Sequence, residues 1–348
     1  MNNFNNKKDI VIIIQAPLEI IHALALYEKT KNSARISIVV VRIKSSYNYL
    51  KSLNLNLSSL LFIPYPKIKS FYSLYSLFTL KLAINRAIND NFSNVRNSQI
   101  YFYGTAFDYF TIPILLHLKA KNSCTYLYTN SIGNRLNQAK KINQYRIKDY
   151  LLLIIFWLLT WHKLDISVRR VMLLIPEKHS MNSKLISDNP TEVLNKFSKK
   201  LEFKQPSILF FESSSATIAI SNYQEVMLKI ISFINKQDIN IYIKPHPEKG
   251  YSSFLDKTNV IMLDQTTPGE FIDLTNVNLI LGIYTSAIMK IAKNSPMAKV
   301  LSLAGLFEFY DGMDQENRMF NILRQIDGIE IIHDINDFED IINNLKWS

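Results

Sequence analysis

The chain is poor in glycine and almost free of cysteine, with 8 glycines and one cysteine, Cys124, in 348 residues. A single thiol excludes an intramolecular disulfide and any metal site built from several cysteines, and it suits a reducing cytoplasm. No Asp-x-Asp occurs and no His/Cys cluster has metal-ligand spacing, so a metal-independent, cofactor-free protein is expected. Neither GxGxxG nor a Walker phosphate loop is present, which disfavours a dehydrogenase and a P-loop enzyme. Helix-turn-helix, RNP-like and zinc-finger signatures are missing too, so nucleic acid ranks last among anionic partners. Met1 to Asp9 is polar and runs straight into a strand, without the pattern of a signal peptide. Long hydrophobic runs are also missing. Tyr150 to Trp161 (YLLLIIFWLLTW) comes nearest, but twelve helical residues cover about 18 Å of a ~30 Å hydrocarbon core. This segment reads either as a buried inter-domain helix or as an interfacial helix on anionic lipid. Its basic flanks (Arg146, Lys148, Lys163, Arg169, Arg170) and two tryptophans favour the interface.

What is present describes a folded protein. Hydrophobic residues make up 48% and charged residues 20%, which argues against disorder. The length allows two domains with separate cores. A formal charge of +11 suits acidic substrates or an anionic membrane surface.

Short apolar runs alternate with helical patterns along the chain. Strands are expected at Asp9–Ile14, Arg35–Val41, Leu60–Ile63, Gln99–Tyr103 and Cys124–Tyr128, with helices from Leu18, over Ser70–Ile88 and over Phe107–Leu118. A polar stretch, 176–205, reads as a linker. A second series has strands at Ser207–Phe211, Ile239–Lys244, Val260–Leu263, Asn278–Ile283 and Lys299–Leu303, the last clear one. Its helices are Gln224–Lys236, a short Pro268–Leu274, Ser286–Lys293 and a closing Ile335–Leu345. Near-continuous apolar strands predict parallel sheets covered on both faces. The expected architecture is α/β. Two Rossmann-like doubly wound domains, 1–175 and 206–334, face a central cleft in the GT-B plan, and 335–348 closes the chain.

Three motifs carry chemistry. In Ile243-Lys244-Pro245-His246-Pro247 a buried strand delivers Lys244 and His246 at its carboxyl end, where ligands bind in open α/β sheets. The prolines fix the backbone on both sides of His246. An imidazole there can hydrogen-bond a phosphate or protonate it as it leaves; the plain alternative is a surface turn. In Leu281-Gly282-Ile283-Tyr284-Thr285-Ser286-Ala287 a strand passes into a helix. Gly282 permits close approach, and Thr285 and Ser286 bring hydroxyls and backbone N–H groups to an anion, or serve as the N-cap. In Pro268-Gly269-Glu270 a carboxylate opens a short helix. It can accept hydrogen bonds from ribose hydroxyls, or simply favour the helix start.

In this order the motifs resemble the bacterial sialyltransferases and polysialyltransferases, which include glycosyltransferase families 52 and 38. Ile14-Gln15-Ala16-Pro17-Leu18-Glu19-Ile20-Ile21-His22-Ala23 near the N-terminus is similar to the first β–α segment of family 52. The KPHP element is also similar to one in teichoic-acid-type polymerases. The sialyltransferase resemblance implies an inverting transferase that moves sialic acid, or a related nonulosonic acid, from a CMP-linked donor to a bacterial surface glycan, lipopolysaccharide or capsule. It implies that His246, Thr285 and Ser286 hold the phosphate and that Glu270 contacts ribose or cytosine. The strand end Phe211-Glu212-Ser213-Ser214-Ser215 reads either as lining the same donor site, with Glu212 and Ser213, or as a plain loop. The resemblance also implies an acidic base after a mid-domain strand. Here the corresponding stretch, Tyr128 to Asn134, has Gly133 but Asn130 and Ser131 in place of acids. Asp108 is the nearest replacement, with the acidic first turn of a helix as its plain alternative; Glu19 and His22 are weaker candidates. The partners implied are the donor, a glycan or glycolipid acceptor and an anionic membrane surface, with no nucleic acid. The place implied is the cytoplasm, peripheral on the inner face of the membrane. The rival readings are another GT-B transferase of teichoic-acid polymerase type and a non-catalytic nucleotide-sugar-binding subunit.

Overall fold

The computed structural model describes residues 7–66, 74–103, 110–128, 182–185, 191–213, 219–294, 299–310 and 319–345. The chain divides into two compact units, Met1–Val193 and Leu194–Ser348. The segment at Tyr150 to Trp161, the stretch from Asn130 to Asn134 and Asp108 all lie outside the described residues.

Unit 1 is built on six parallel strands: β1 (Lys8–Ile14), β2 (Ala34–Val41), β3 (Ser59–Ile63), β4 (Gln99–Tyr103), β5 (Ser123–Tyr128) and β6 (Asn182–Leu185). Their order is β3-β2-β1-β4-β5-β6, the nucleotide-binding order in which the sheet reverses direction between its first and fourth strands. Its helices are α1 (Glu19–Thr30), α2 (Lys44–Ser52), α3 (Leu74–Phe92) and α4 (Thr111–Lys119). The run Ile10 to Ile14 is buried throughout, as expected of a parallel strand covered on both faces. Val11 and Ile13 pack with Leu80 and Ile84 of α3 and Leu115 of α4. On the other face, α1 lies against β1, β2 and β4 and buries Ile20, Ile21 and Leu24. Each such side chain stabilises the unit by about 1.5–3 kcal/mol.

Helix α5 (Thr191–Phe197) spans the division between the units. With β6, it falls within 176–205, the stretch that reads as linker in the sequence.

Unit 2 repeats the plan. Its strands are β7 (Ser207–Phe211), β8 (Asn240–Lys244), β9 (Ile261–Met262), β10 (Leu279–Gly282), β11 (Lys299–Ser302) and β12 (Ile329–Ile331). They are ordered β12-β11-β10-β7-β8-β9, and every pair is parallel. Its helices are α6 (Tyr223–Lys236), α7 (Ser286–Asn294) and α8 (Ile335–Asn344). Alternation sorts β7 cleanly. Ile208 and Phe210 join Met227 and Ile230 of α6 and Phe338 of α8, while Leu209 and Phe211 join Ala287, Ile288 and Ile291 of α7. Asp334 caps α8 by accepting from Asn336 N–H at 2.8 Å.

The α/β class and the two Rossmann-like sheets agree with the sequence reading. One expected helix does not form. Pro268–Leu274 contains only a 3-10 turn, Gly269–Phe271. The chain must be extended beyond it, because Lys199 N–H donates to Phe271 O at 2.7 Å and Asp273 N–H donates to Lys199 O at 3.1 Å.

Candidate functional site

The candidate site lies along the carboxyl edge of the second sheet, where β7 separates β8 from β10. The strand spacing puts the ends of β8 and β10 about 10 Å apart. The order reverses between β7 and β10, the position beyond whose carboxyl ends open α/β sheets commonly bind ligands.

Beyond β8 the chain makes a closed turn. His246 N–H donates to Gly250 O at 2.7 Å, and Gly250 N–H donates back to His246 O at 2.9 Å. Gly250 has a φ of +76°, a left-handed conformation that favours glycine. The His246 Nδ1 accepts from Glu248 N–H at 3.1 Å and Lys249 N–H at 3.3 Å. That fixes the tautomer: the proton sits on Nε2. Among the described residues Nε2 has no partner. Burial lowers the His246 pKa, Glu248 opposes this, and the Lys244 and Lys249 charges add to it. The ring is therefore neutral near pH 7 and offers one N–H donor.

Lys244 is 2% exposed. Its Nζ donates to Pro245 O at 3.0 Å and Gln265 O at 3.2 Å. Burial brings its pKa down to about 8, against the pull of Asp264 and Glu270. Gln265 completes the frame, its Nε2 donating to His246 O at 3.2 Å and Pro247 O at 3.1 Å. Beside it, Asp264 accepts from the hydroxyls of Thr266 and Thr267 and lies 3.6 Å from Lys199. Burial alone would raise the Asp264 carboxyl, but these hydrogen bonds and the Lys199 charge hold it well below the usual carboxylate range.

Beyond β10, Thr285 caps α7, its Oγ1 accepting from Ile288 N–H at 3.2 Å. Ser286 follows it and is exposed. Gly282 is pressed by the helix that follows it: a Cβ there would lie 2.8 Å from Ile288 Cγ2. Gly269 is similarly pressed: a Cβ there would lie 2.6 Å from Phe211 Cε1 and 3.2 Å from Ala287 Cβ, with the 3-10 turn against α7. Glu270, next in the chain, raises the pKa of both Lys244 and Lys290. Lys290 is on α7, and burial is what lowers it most.

The end of β7 ties these segments together. Ser213 Oγ donates to Tyr284 O at 2.7 Å, across the reversal point. Glu212 N–H donates to Lys244 O at 3.1 Å. The Glu212 side chain turns to the other face and meets Tyr223 and Ser252.

The sequence-derived residues Lys244, His246, Glu270, Gly282, Thr285, Ser286, Glu212 and Ser213 thus share one sheet edge. Gly282, Ser213 and Thr285 have structural tasks there. Sequence reading missed Gln265, Ser252, Tyr223 and Lys290. In unit 1, Glu19 is buried and its Oε2 accepts from Gln15 N–H and, at 3.0 Å, from Ala16 N–H. The ring of His22 stacks on Tyr103 at 5.9 Å. Among the described residues no three His, Cys, Asp or Glu side chains cluster to hold a metal, and no helix is long and apolar enough to cross a membrane.

No family model matches the sequence, and no curated protein matches it. Among solved structures, the chain is similar in fold to UDP-GlcNAc 2-epimerase from Methanocaldococcus jannaschii, at 11% identity and a TM-score of 0.48, over 98% of this chain and 94% of that one. It is similar to the calicheamicin glycosyltransferase CalG4 at 9% identity and a TM-score of 0.46, over 98% and 90%. It is similar to Arabidopsis thaliana UGT89C1, solved with UDP-L-rhamnose, at 11% identity and a TM-score of 0.47, again over 98% and 90%.

Proposed function

We propose that the carboxyl edge of the second sheet holds the phosphate of a CMP-linked sugar and that the chain is a metal-independent, inverting glycosyltransferase. Its substrate is sialic acid or a related nonulosonic acid, delivered to a bacterial surface glycan at the inner face of the membrane. The observation that carries this reading is the state of His246. A neutral ring, with Nδ1 engaged by two backbone N–H groups and Nε2–H without a partner among the described residues, is a donor aligned in advance for an anionic oxygen. Such a ring is not a general acid, because losing its one proton would leave an imidazolate. The leaving group does not need one: the second pKa of a phosphate monoester is about 6. Lys244 and the N-terminus of α7 supply positive potential in place of a divalent ion.

In the reaction, the acceptor hydroxyl oxygen forms its bond to the anomeric carbon as the bond from that carbon to the CMP phosphate oxygen breaks. The bonding pair departs with CMP, and the hydroxyl proton goes to a carboxylate of unit 1, assigned in this proposal to Asp108. Glu19 is a poorer choice, since it is buried and its Oε2 is already engaged by two backbone N–H groups.

Incubation with CMP-sialate and assay of free CMP tests the reading. The wild type should release CMP, and His246→Ala should lose about a hundredfold or more of that rate. Near-wild-type turnover in the variant would remove His246 from the mechanism. Calorimetry with CMP and CDP-glycerol separates this from a teichoic-acid-type polymerase, which would prefer the latter. The absence of acids at Asn130 and Ser131 favours one other reading, a nucleotide-sugar-binding subunit, which would bind CMP without turnover.

A further inference from the structure

Glu212 is a carboxylate in an unusual place. It continues β7 on the face that carries Ile208 and Phe210, and it is 5% exposed. Burying a charged group is costly unless donors surround it. Its Oε1 has three: Ser252 N–H at 2.9 Å, Ser252 Oγ at 2.6 Å and Tyr223 OH at 3.2 Å. Its Oε2 is buried with no partner among the described residues. Burial pushes the carboxyl pKa up, while the hydrogen bonds from Ser252 and Tyr223 pull it back. An apolar side chain would suit the strand better, so this arrangement calls for a reason.

The reason lies in what Ser252 belongs to. Gly250, two residues earlier, closes the His246 turn with its pair of backbone hydrogen bonds. Gln265 holds that turn through the carbonyls of His246 and Pro247. Ser252 follows it in the chain, and Glu212 is what Ser252 grips. We propose that Glu212 is a positioning residue that pins the His246 turn to the end of β7 and thereby fixes the ring that receives the phosphate. It touches no ligand itself. The consequence for nucleotide affinity rests on the reading of the site given above; the pinning of the ring does not.

The test uses the full chain and two readouts: the nitrogen resonances of the His246 imidazole, which report its tautomer, and CMP affinity by calorimetry. In the wild type Nδ1 should be an unprotonated acceptor and Nε2 protonated. Glu212→Ala should shift these resonances toward the averaged tautomers of a free imidazole and weaken CMP binding by about tenfold. Glu212→Gln keeps an accepting oxygen and should restore the signature that Glu212→Ala loses. Should Glu212→Ala fail to fold, Ser252→Pro removes both donors at a backbone φ of −75°, which proline adopts readily, and should give the same shift. Wild-type-like His246 resonances in Glu212→Ala, or in Ser252→Pro if only that variant folds, would overturn the proposal. A wild type that takes up no CMP, while the His246 nitrogens still respond, would overturn the nucleotide reading and leave the positioning role standing.

Discussion

The chemistry of the site depends on what each side chain has left to offer after its protein contacts. Lys244 is the sharpest case. Its pKa is about 8 against an ordinary 10.5, so the folded protein binds this proton more weakly than the unfolded chain does. The burial penalty is full below pH 8 and is relieved as pH rises toward 10.5, which makes stability climb across that window. The span is worth on the order of 3 kcal/mol. Lys244→Met should flatten the climb in denaturant titrations between pH 8 and 10; an unchanged profile would show that the lysine is not desolvated. His246 works in the opposite range. Its depressed pKa means that acid charges the ring and sets an Nδ1–H against Glu248 and Lys249 N–H. CMP affinity should hold steady from pH 6.5 to about 7.5 and fall as acid reaches the lowered pKa. A loss centred at or above 6.5 would contradict the hydrogen bonding of Nδ1. The Lys-Pro-His-Pro run was legible in the sequence because a buried strand and two prolines mark it. Gln265 and Ser252 were not. They act on partners 19 and 40 residues away, through carbonyls and a carboxylate that no spacing rule connects.

At the scale of elements, the β10–α7 junction separates fold from function. Gly282→Ala would put a Cβ 2.8 Å from Ile288 Cγ2, a methyl on a stiff β-branched side chain. Overpacking of this kind costs about 1–3 kcal/mol, so the melting temperature should drop while CMP affinity at low temperature changes little. The reverse outcome would mean that a ligand approaches Gly282 after all. Thr285→Ala should cost about 0.5–2 kcal/mol through the lost cap. Ser286→Ala should leave stability alone and weaken CMP binding; an unaffected affinity would remove Ser286 from the site. The central strands were readable as short, continuously apolar runs stopped by proline or glycine. Two of the four edge strands were not: β6 is Asn-Ser-Lys-Leu and β12 is Ile-Glu-Ile, too polar or too short to stand out, whereas the edges β3 and β9 show as apolar runs. α2, Lys-Ser-Ser-Tyr-Asn-Tyr-Leu-Lys-Ser, lacks a clear apolar period. The helix expected from Pro268 was misread because the competing pairing with Lys199 cannot be seen from local sequence.

For the whole molecule, two sheets of the same strand order are present; the proposed mechanism assigns the nucleotide to the second and the base to Asp108. Asp108→Asn should therefore depress transfer and leave CMP affinity intact, and normal transfer would exclude Asp108. A positive formal charge of +11 should also make association with an anionic donor slow as salt rises. The claim on which the rest depends is that one phosphate lies between the ends of β8 and β10. A crystal structure of the protein with CMP tests it most directly. A phosphate oxygen should sit about 3 Å from His246 Nε2, with Ser286 on the same group. CMP bound elsewhere, or with its phosphate away from His246, would contradict the account.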